Sequence, residues 1–171
     1  MHIDESVAEL ARHVRGIVFD VDGVLTDGRI IYSDDGREFK QFNVQDGASL
    51  KLLAANGIDI AIITGRQSTT VARRAEELGI SYLRQGADSK DAALDDLIKQ
   101  GFPAAQNAAV GDDLQDIALF EHPSVALALT VPNAHPAALQ KAHFTTQRRG
   151  GDGVAVEIAE LILTAQGKWA F

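Results

Sequence analysis

The chain has 171 residues, enough for one domain with its own core, and 46% of them are hydrophobic, which excludes a disordered chain. Its 24 acidic and 16 basic residues give a net charge of −8, which disfavours nonspecific binding to nucleic acid or anionic membranes. The chain has no cysteine, which excludes disulfides and thiolate chemistry. It has neither an apolar run of about 20 residues nor a secretory signal at positions 1–14, so we expect a cytoplasmic protein.

Short apolar runs alternate with helical patterns along the chain. Strands are predicted at 16–19, 58–63, 80–83, 107–110 and 124–129, because consecutive apolar positions are typical of parallel sheets covered on both faces. Helices are predicted at 46–56, 67–78, 88–100, 113–120, 133–142 and 152–166, and glycines follow three of them as C-caps commonly do. This alternation predicts one doubly wound α/β domain over residues 1–171.

One segment interrupts the alternation. Residues 29–42, RIIYSDDGREFKQF, consist of two alternating stretches around Asp34-Asp35-Gly36, a pattern typical of a β-hairpin. We therefore expect a hairpin flap at about 28–43, inserted into the α/β domain.

Two acidic clusters follow predicted strands. Asp20 and Asp22 come directly after the strand at 16–19, and Asp112, Asp113 and Asp116 follow the strand at 107–110. Ligands of open α/β sheets bind beyond the carboxyl ends of the strands, so the clusters converge if these strands are neighbours. Crowded carboxylates repel one another unless a cation neutralises them, and oxygen ligands with open positions favour Mg²⁺.

Simpler interpretations exist for each acidic cluster. Asp-x-Asp-Gly is often a turn, and Asp113 has the position of a helix N-cap. A calcium-binding EF-hand loop counted from Asp20 is excluded, because its fifth, sixth and twelfth positions hold Val24, Leu25 and Ile31.

Polar residues also mark two other strand or helix ends. Thr64 and Gly65 follow the strand at 58–63, where a hydroxyl and a backbone N–H can bind an anion. Lys90 begins a predicted helix, a position where the helix dipole disfavours a cation unless it faces negative charge. Taken singly, Thr64 is also typical of a cap and Lys90 of a solvated surface.

Taken together and in this order, the segments DVDG, Thr64, Lys90 and GDDLQD resemble the motifs of the haloacid dehalogenase superfamily of phosphatases. The longer segments DVDGVLTDG, DGASLKLL, ITGR, RAEELGI and GGDGVAVEIAELIL more narrowly resemble its 3-deoxy-D-manno-octulosonate (KDO) 8-phosphate phosphatases. This resemblance implies a Mg²⁺-dependent phosphoric monoester hydrolase that acts on an acidic sugar phosphate in lipopolysaccharide biosynthesis. It also implies a Rossmann-like core without a large cap domain, and only 44 residues separate Asp20 from Thr64.

The resemblance implies a role for each motif residue. Asp20 would attack phosphorus and form an aspartyl phosphate, and Asp22 would act as general acid and then general base. Thr64 and Lys90 would bind the phosphoryl oxygens. The implied Mg²⁺ ligands are Asp20, the backbone carbonyl of Asp22 and Asp112, supported by Asp113 and Asp116.

The resemblance also implies a substrate-contacting region around the helix at 46–56. Its residues are Asn43, Val44, Gln45, Asp46, Gly47, Lys51, Gly65, Arg66 and Arg74. Arginine suits a substrate with carboxylate and phosphate groups, although Arg66 and Arg74 could equally form surface salt bridges. In the family the hairpin contributes to a tetramer core, and a neighbouring subunit helps to close the active site.

The sequence departs from the family pattern at two positions. Gln45 stands where relatives often carry a basic residue, and Val156 stands where an arginine is expected. Arg148 and Arg149, in the nearby segment QRRGG, are possible substitutes for that arginine. These departures concern the sugar-acid end of the substrate rather than the phosphoryl chemistry.

Three alternative functions fit part of this pattern. A signalling receiver domain also combines acids, Mg²⁺, Thr and Lys, but its phosphorylated Asp follows the third strand, and ISYLRQG offers none. A noncatalytic assembly partner would not need both Asp20 and Asp22. A phosphatase for a related nine-carbon sugar acid shares every catalytic residue and stays open.

Overall fold

The computed structural model describes residues 3–171, which form eight strands and seven α-helices. The strands are β1 (Gly16–Phe19), β2 (Ile31–Tyr32), β3 (Glu38–Phe39), β4 (Asp59–Ile63), β5 (Tyr82–Arg84), β6 (Asn107–Val110), β7 (Val125–Thr130) and β8 (Phe144–Thr145). The helices are α1 (Glu5–Arg12), α2 (Val44–Ala55), α3 (Thr69–Leu78), α4 (Lys90–Lys99), α5 (Ile117–Phe120), α6 (Pro136–Lys141) and α7 (Val154–Ala165).

Six of the strands form one parallel sheet in the order β5-β4-β1-β6-β7-β8. All four residues of the central strand β1 are buried, so this strand is covered on both faces, as its continuous apolar run predicts. Helices flank the sheet: α7 packs against α1 and α2, and α4 packs against α5. These features confirm the predicted doubly wound α/β fold.

The strand order reverses beside β1. From β1 the chain proceeds to β4 and β5 on one side, and it then returns to place β6 on the other side. Such a switch point opens a crevice at the carboxyl ends of the strands, where ligands of this fold class bind. Both acidic clusters follow the two strands that border this crevice.

Several elements differ from the sequence-based expectation. Helix α1 and the two-residue strand β8 were not predicted, and α2 begins at Val44 because the Asn43 side chain accepts a hydrogen bond from the backbone N–H of Gln45. The helix predicted at 113–120 is a 3₁₀ turn at Leu114–Asp116 followed by α5. The turn is tight because the Asp116 side chain accepts hydrogen bonds from preceding backbone N–H groups.

The hairpin forms as predicted, as a separate antiparallel pair in which Ile31 faces Phe39. Four of its apolar residues are about half exposed or more, and we call them the hairpin face: Ile30, Ile31, Tyr32 and Phe39. Between β1 and β4, the structure contains only this hairpin and α2, without a covering domain. Within residues 3–171, every helix is too short or too polar to cross a membrane.

Candidate active site

Strands β1 and β6 bring the two acidic clusters together. The strands pair in register, with Phe19 beside Val110, and the backbone N–H of Asp20 donates to the carbonyl of Val110 at 2.9 Å. The chain therefore leaves both strands at the same level of the sheet. Carboxylate oxygens of Asp20, Asp112 and Asp116 lie within 4.8 Å of one another.

Two glycines permit this close approach. Gly23 has a φ of +96°, and a Cβ at this position would lie 2.0 Å from a carboxylate oxygen of Asp112. A Cβ at Gly111 would lie 2.2 Å from Cγ of Asp116. Any larger residue would push one acidic group out of place, so glycine at these positions is a requirement of the site.

Asp116 organises the second acidic loop. Its side chain is fully buried, and Oδ2 accepts hydrogen bonds from the backbone N–H groups of Asp112 (2.9 Å) and Asp113 (3.0 Å). Its Oδ1 accepts from Nζ of Lys90 at 2.6 Å. Both oxygens are therefore engaged within the protein, which favours a supporting role for Asp116. Asp113 is exposed and caps the turn that follows.

Lys90 places its charge between two carboxylates. The side chain is 4% exposed, and Nζ lies 2.8 Å from Oδ1 of Asp20 as well as 2.6 Å from Asp116. Burial by itself lowers the pKa of Lys90, but the charges of Asp20 and Asp116 outweigh it and raise the pKa. Lys90 therefore remains an ammonium group, and its unfavourable place at a helix N-terminus is explained by the anions it faces.

The remaining carboxylates carry more negative charge than Lys90 neutralises. Burial raises the pKa of Asp20 to about 7, with a further contribution from Asp116 and an opposing one from Lys90. Burial also raises the pKa of Asp112 to about 7, and the charges of Asp20 and Asp116 add to this effect. A site that holds these groups ionised at neutral pH needs an additional cation.

The donor atoms available here fit Mg²⁺. Oδ1 of Asp112 is buried, and no group within residues 3–171 donates a hydrogen bond to it. The backbone carbonyl of Asp22 likewise accepts no hydrogen bond from the described chain. Oxygen donors alone, with positions left for water or substrate, are the ligand set that Mg²⁺ prefers. Asp20, Asp112 and the Asp22 carbonyl are therefore the groups that would hold the ion.

The acidic cleft has a volume of about 440 Å³ and contains the predicted phosphate-binding residues. Its lining includes Asp20, Asp22, Thr64, Gly65, Arg66, Lys90, Asp112, Asp113, Gln115 and Asp116. Thr64 is buried at the end of β4, and its Oγ1 accepts a hydrogen bond from the backbone N–H of Arg66 at 3.4 Å. Gln115 was not predicted; its Oε1 lies beside Gly65, where a Cβ would come within 2.9 Å of it, so a larger residue at 65 would displace this exposed side chain.

A second polar cluster lies at the start of α2. Asn43 donates from its side chain to the carbonyl of Gly151 (3.4 Å), and its own carbonyl accepts from Nη2 of Arg74 (3.2 Å). A Cβ at Gly47 would lie 2.3 Å from the same Nη2, so this glycine makes room for the arginine. Val44 and Lys51 are exposed on α2 and do not line the acidic cleft.

Asp46 connects α2 with α7. The residue is 3% exposed, and Oδ1 accepts from the backbone N–H of Ala155 at 2.7 Å. Burial raises the pKa of Asp46 to about 6. Asp46 therefore anchors the first turn of α7, and its buried carboxylate does not face solvent.

Arg148 contacts Gln45, one of the two positions where the sequence departs from the family pattern. Its Nη1 donates to Oε1 of Gln45 (3.2 Å) and to the carbonyl of Asp152 (3.3 Å). Arg149 points elsewhere and lines a separate hollow together with Asp27 and other residues. Val156 is half-buried in α7. Of the two candidate substitutes, Arg148 is the one that joins the cluster at the start of α2.

The hairpin supplies contacts that the sequence prediction missed. Lys40 forms an ion pair with Asp22, and its Nζ lies 3.5 Å from Oε1 of Glu38. Arg66 Nη2 donates to Glu38 (2.6 Å) and to the hydroxyl of Tyr32 (2.9 Å). The alternation after the turn was the available signal, since positions 38, 40 and 42 face inward and 39 and 41 outward.

Known proteins resemble the whole chain. A haloacid dehalogenase-like hydrolase domain matches residues 83–158. The KDO 8-phosphate phosphatase of Escherichia coli K12 is 40% identical over 167 residues, which cover 97% of this chain and 88% of that protein.

Solved structures agree with this match. The KDO 8-phosphate phosphatase of Yersinia pestis superposes with a TM-score of 0.92 at 40% identity, covering 97% of this chain and 89% of that one. The enzyme of Moraxella catarrhalis, solved with a magnesium ion, a phosphate ion and a KDO molecule, superposes with a TM-score of 0.90 at 42% identity, covering 97% and 94%. This chain therefore belongs to the KDO 8-phosphate phosphatase family of the haloacid dehalogenase superfamily.

Proposed function

We propose that this chain is a Mg²⁺-dependent phosphatase that hydrolyses KDO 8-phosphate to KDO and phosphate. The observation that supports this most strongly is the convergence of carboxylate oxygens of Asp20, Asp112 and Asp116 at the switch point, where Oδ1 of Asp112 is buried without a hydrogen-bond partner and Lys90 pairs with Asp20. The Moraxella catarrhalis relative, crystallised with magnesium, phosphate and KDO, supports the same substrate and metal for this chain.

The first half of the reaction transfers the phosphoryl group to the protein. A carboxylate oxygen of Asp20 attacks phosphorus, the bond between phosphorus and the sugar oxygen breaks, and Asp22 donates a proton to that oxygen. Lys90 and Thr64 bind the phosphoryl oxygens and compensate charge that builds up during transfer. Mg²⁺, when bound, supplies positive charge that offsets the repulsion between carboxylate and phosphate.

The second half releases phosphate. Asp22, now ionised, removes a proton from a water molecule as this water attacks the phosphorus of the aspartyl phosphate. The acyl phosphate bond breaks, inorganic phosphate leaves, and Asp20 returns to its carboxylate form. Asp22 ends the cycle with the proton that it needs to act as an acid again, so protons balance over one turnover.

We assign recognition of the sugar acid to the cluster at the start of α2. Arg148 and Arg74 bring two guanidinium groups to this region, and guanidinium pairs well with a carboxylate. Gly150 and Gly151 pack tightly on the loop that follows Asp22, which connects this cluster with the acidic cleft. In this assignment Arg148 replaces the arginine that the family pattern expects at position 156, where this chain has valine.

We further propose that the enzyme is a homotetramer and acts in the cytoplasm in lipopolysaccharide biosynthesis. The exposed hairpin face supports assembly, because a two-stranded hairpin is marginally stable alone and gains from burial of its apolar side chains. The proposed substrate carries several charges and cannot cross a lipid bilayer unaided, so the enzyme must share its compartment.

The test is a phosphate-release screen across sugar phosphates, with and without Mg²⁺. We expect release from KDO 8-phosphate at a higher kcat/KM than from a nine-carbon sugar-acid phosphate or neutral sugar phosphates, and no release in EDTA. Release without Mg²⁺, or a clear preference for a neutral sugar phosphate, would contradict the proposal. Light scattering at micromolar concentration tests the assembly.

A further inference from the structure

The hairpin carries a lysine whose charge is enclosed beside Asp22. The Lys40 side chain is only 2% exposed, although both of its chain neighbours, Phe39 and Gln41, are exposed. Its Nζ pairs with Oδ1 of Asp22 and lies 3.5 Å from Oε1 of Glu38. An ammonium group at this depth is costly unless it is paired, so the two carboxylates account for its position.

Asp22 uses only one of its oxygens in this contact. Oδ1 accepts the hydrogen bond from Lys40, whereas no group within residues 3–171 donates to Oδ2. The Asp22 side chain is 21% exposed, and it lines the acidic cleft. A carboxylate fixed through one oxygen has little rotational freedom, and its second oxygen remains available for proton transfer.

A further ion pair holds Lys40 in place. Oε1 of Glu38 lies 3.5 Å from Nζ of Lys40, an electrostatic contact without a hydrogen bond, and Oε2 accepts from Arg66 at 2.6 Å, so this carboxylate lies between two cations. The hydrogen bond from Arg66 lowers the pKa of Glu38, which keeps the group ionised at neutral pH. A continuous series of polar contacts therefore extends from Tyr32 on the hairpin face to Asp22 in the cleft.

We propose that Lys40 is a positioning residue for Asp22. It holds the carboxylate through Oδ1 and leaves Oδ2 free to serve the sugar oxygen in the first half of the reaction and the water in the second. Lys40 itself does not touch the substrate. The proposal rests on the proposed function in one respect, because it requires that Asp22 is the acid and base.

A double-mutant cycle tests whether Lys40 acts through Asp22. With KDO 8-phosphate, Lys40→Met should lower kcat by about 10- to 100-fold with KM changed less than about threefold, because proton transfer loses its geometry. Asp22→Asn should lower kcat by about 10²- to 10⁴-fold. The double variant should lose no more than about threefold beyond Asp22→Asn, since Lys40 has no further role once Asp22 is changed.

A second substrate separates positioning from a structural role. The phenolate of 4-nitrophenyl phosphate departs without receiving a proton, so formation of the aspartyl phosphate needs no general acid. We expect kcat/KM of Lys40→Met for this substrate to stay within about threefold of the wild type. Lys40→Arg, which restores a cationic donor, should lose less than about fivefold in kcat with KDO 8-phosphate.

Arg37→Met is the matched control, because it removes a cation from the same hairpin at an exposed ion pair with Asp35. Its kcat should be unchanged. Circular dichroism and light scattering verify the fold and assembly of each variant; if Lys40→Met does not fold, Lys40→Gln takes its place.

Two results would overturn the proposal and indicate a structural role. One is a double variant whose loss of kcat equals the combined losses of the two single variants, and the other is an equal loss of kcat/KM with both substrates. A rise in KM without a fall in kcat would also overturn it and would make Lys40 a substrate contact. Failure of the proposed function has a different result, because the wild type itself would then not release phosphate from KDO 8-phosphate.

Discussion

The acidic cleft and the hairpin differ in how firmly the chain itself holds them. In the cleft, Asp116 is fully buried and accepts three hydrogen bonds, and Lys90 is fixed between two carboxylates. In the hairpin, each strand has two residues, and Ile31 and Tyr32 are about half exposed or more.

The two regions obtain their rigidity from different sources. The cleft is built on the ends of central strands, where the packed sheet fixes each functional group before substrate arrives. The hairpin is joined to the rest of the subunit through a few charged contacts, Lys40 with Asp22 and Glu38 with Arg66. In the proposed tetramer, burial of the hairpin face against a neighbouring subunit would add to its stability.

The largest expected effect is in the cleft. Asp20→Asn should reduce kcat by about 10⁴-fold or more, because an amide is a poor nucleophile toward phosphorus. The fold should persist, since burial already disfavours the charge of Asp20 and the amide removes that cost. Phosphate release and thermal melting measure the two effects. Asp96→Asn is the control, since Asp96 is exposed in an ion pair with Lys99 and lies outside the cleft; robust turnover by Asp20→Asn would refute the nucleophile assignment.

A change on the hairpin face tests the other region. Phe39→Asp places a charge opposite Ile31 and should dissociate the proposed tetramer into smaller species, with a fall in kcat of about tenfold as the hairpin loses its support. Light scattering and phosphate release measure both outcomes, and Phe39→Tyr, which keeps the ring, is the control. Full activity in a monomeric Phe39→Asp variant would show that the hairpin needs no neighbour.

Substrate recognition should respond more weakly. Arg148→Gln should raise KM for KDO 8-phosphate by about tenfold with little change in kcat, because it removes a charged partner of the carboxylate and leaves the phosphoryl site intact. Arg149→Gln should have little effect, since Arg149 lies in a different hollow. Steady-state kinetics measures KM for both variants, and an equal rise in KM for Arg148→Gln and Arg149→Gln would argue against the assignment of Arg148.

The smallest effect concerns pH and the metal. Burial raises the pKa of Asp20 and of Asp112 to about 7, so the metal-free folded protein binds more protons than the unfolded chain. Its free energy of unfolding should therefore fall as pH rises from about 4 to about 7.

Mg²⁺ binding offsets that loss. Adding Mg²⁺ should therefore raise Tm by about 5 °C above pH 7 and should raise it least near pH 5. Melting curves with Mg²⁺ and with EDTA measure it. A Mg²⁺ effect that does not depend on pH would contradict the assigned ligands.

The sequence predicts the cleft well because its information is local. Asp20 and Thr64 directly follow apolar strands, Asp112 follows one after Gly111, and a parallel sheet brings such strand ends to one edge. Strand β8 was missed because two residues, Phe144 and Thr145, give no periodic signal.

The contacts of the hairpin and of α2 could not be predicted in the same way. The pairing of Lys40 with Asp22, 18 positions apart, depends on where the hairpin folds back. The contact of Arg148 with Gln45 joins residues more than 100 positions apart. It depends on the anchoring of α7 by Asp46, a contact that spans a similar separation.

The absence of a covering domain between β1 and β4 has a consequence for the type of reaction that this fold can support. An enzyme that passes a phosphoryl group to an alcohol must keep solvent away from its activated carboxylate, because hydrolysis would waste the donor. A hydrolase has the opposite need, since water is its second reactant and a subunit without a cap domain leaves water a path to the carboxylate. The short insertion is thus suited to cleavage, and converting this scaffold into a transferase would first require a lid.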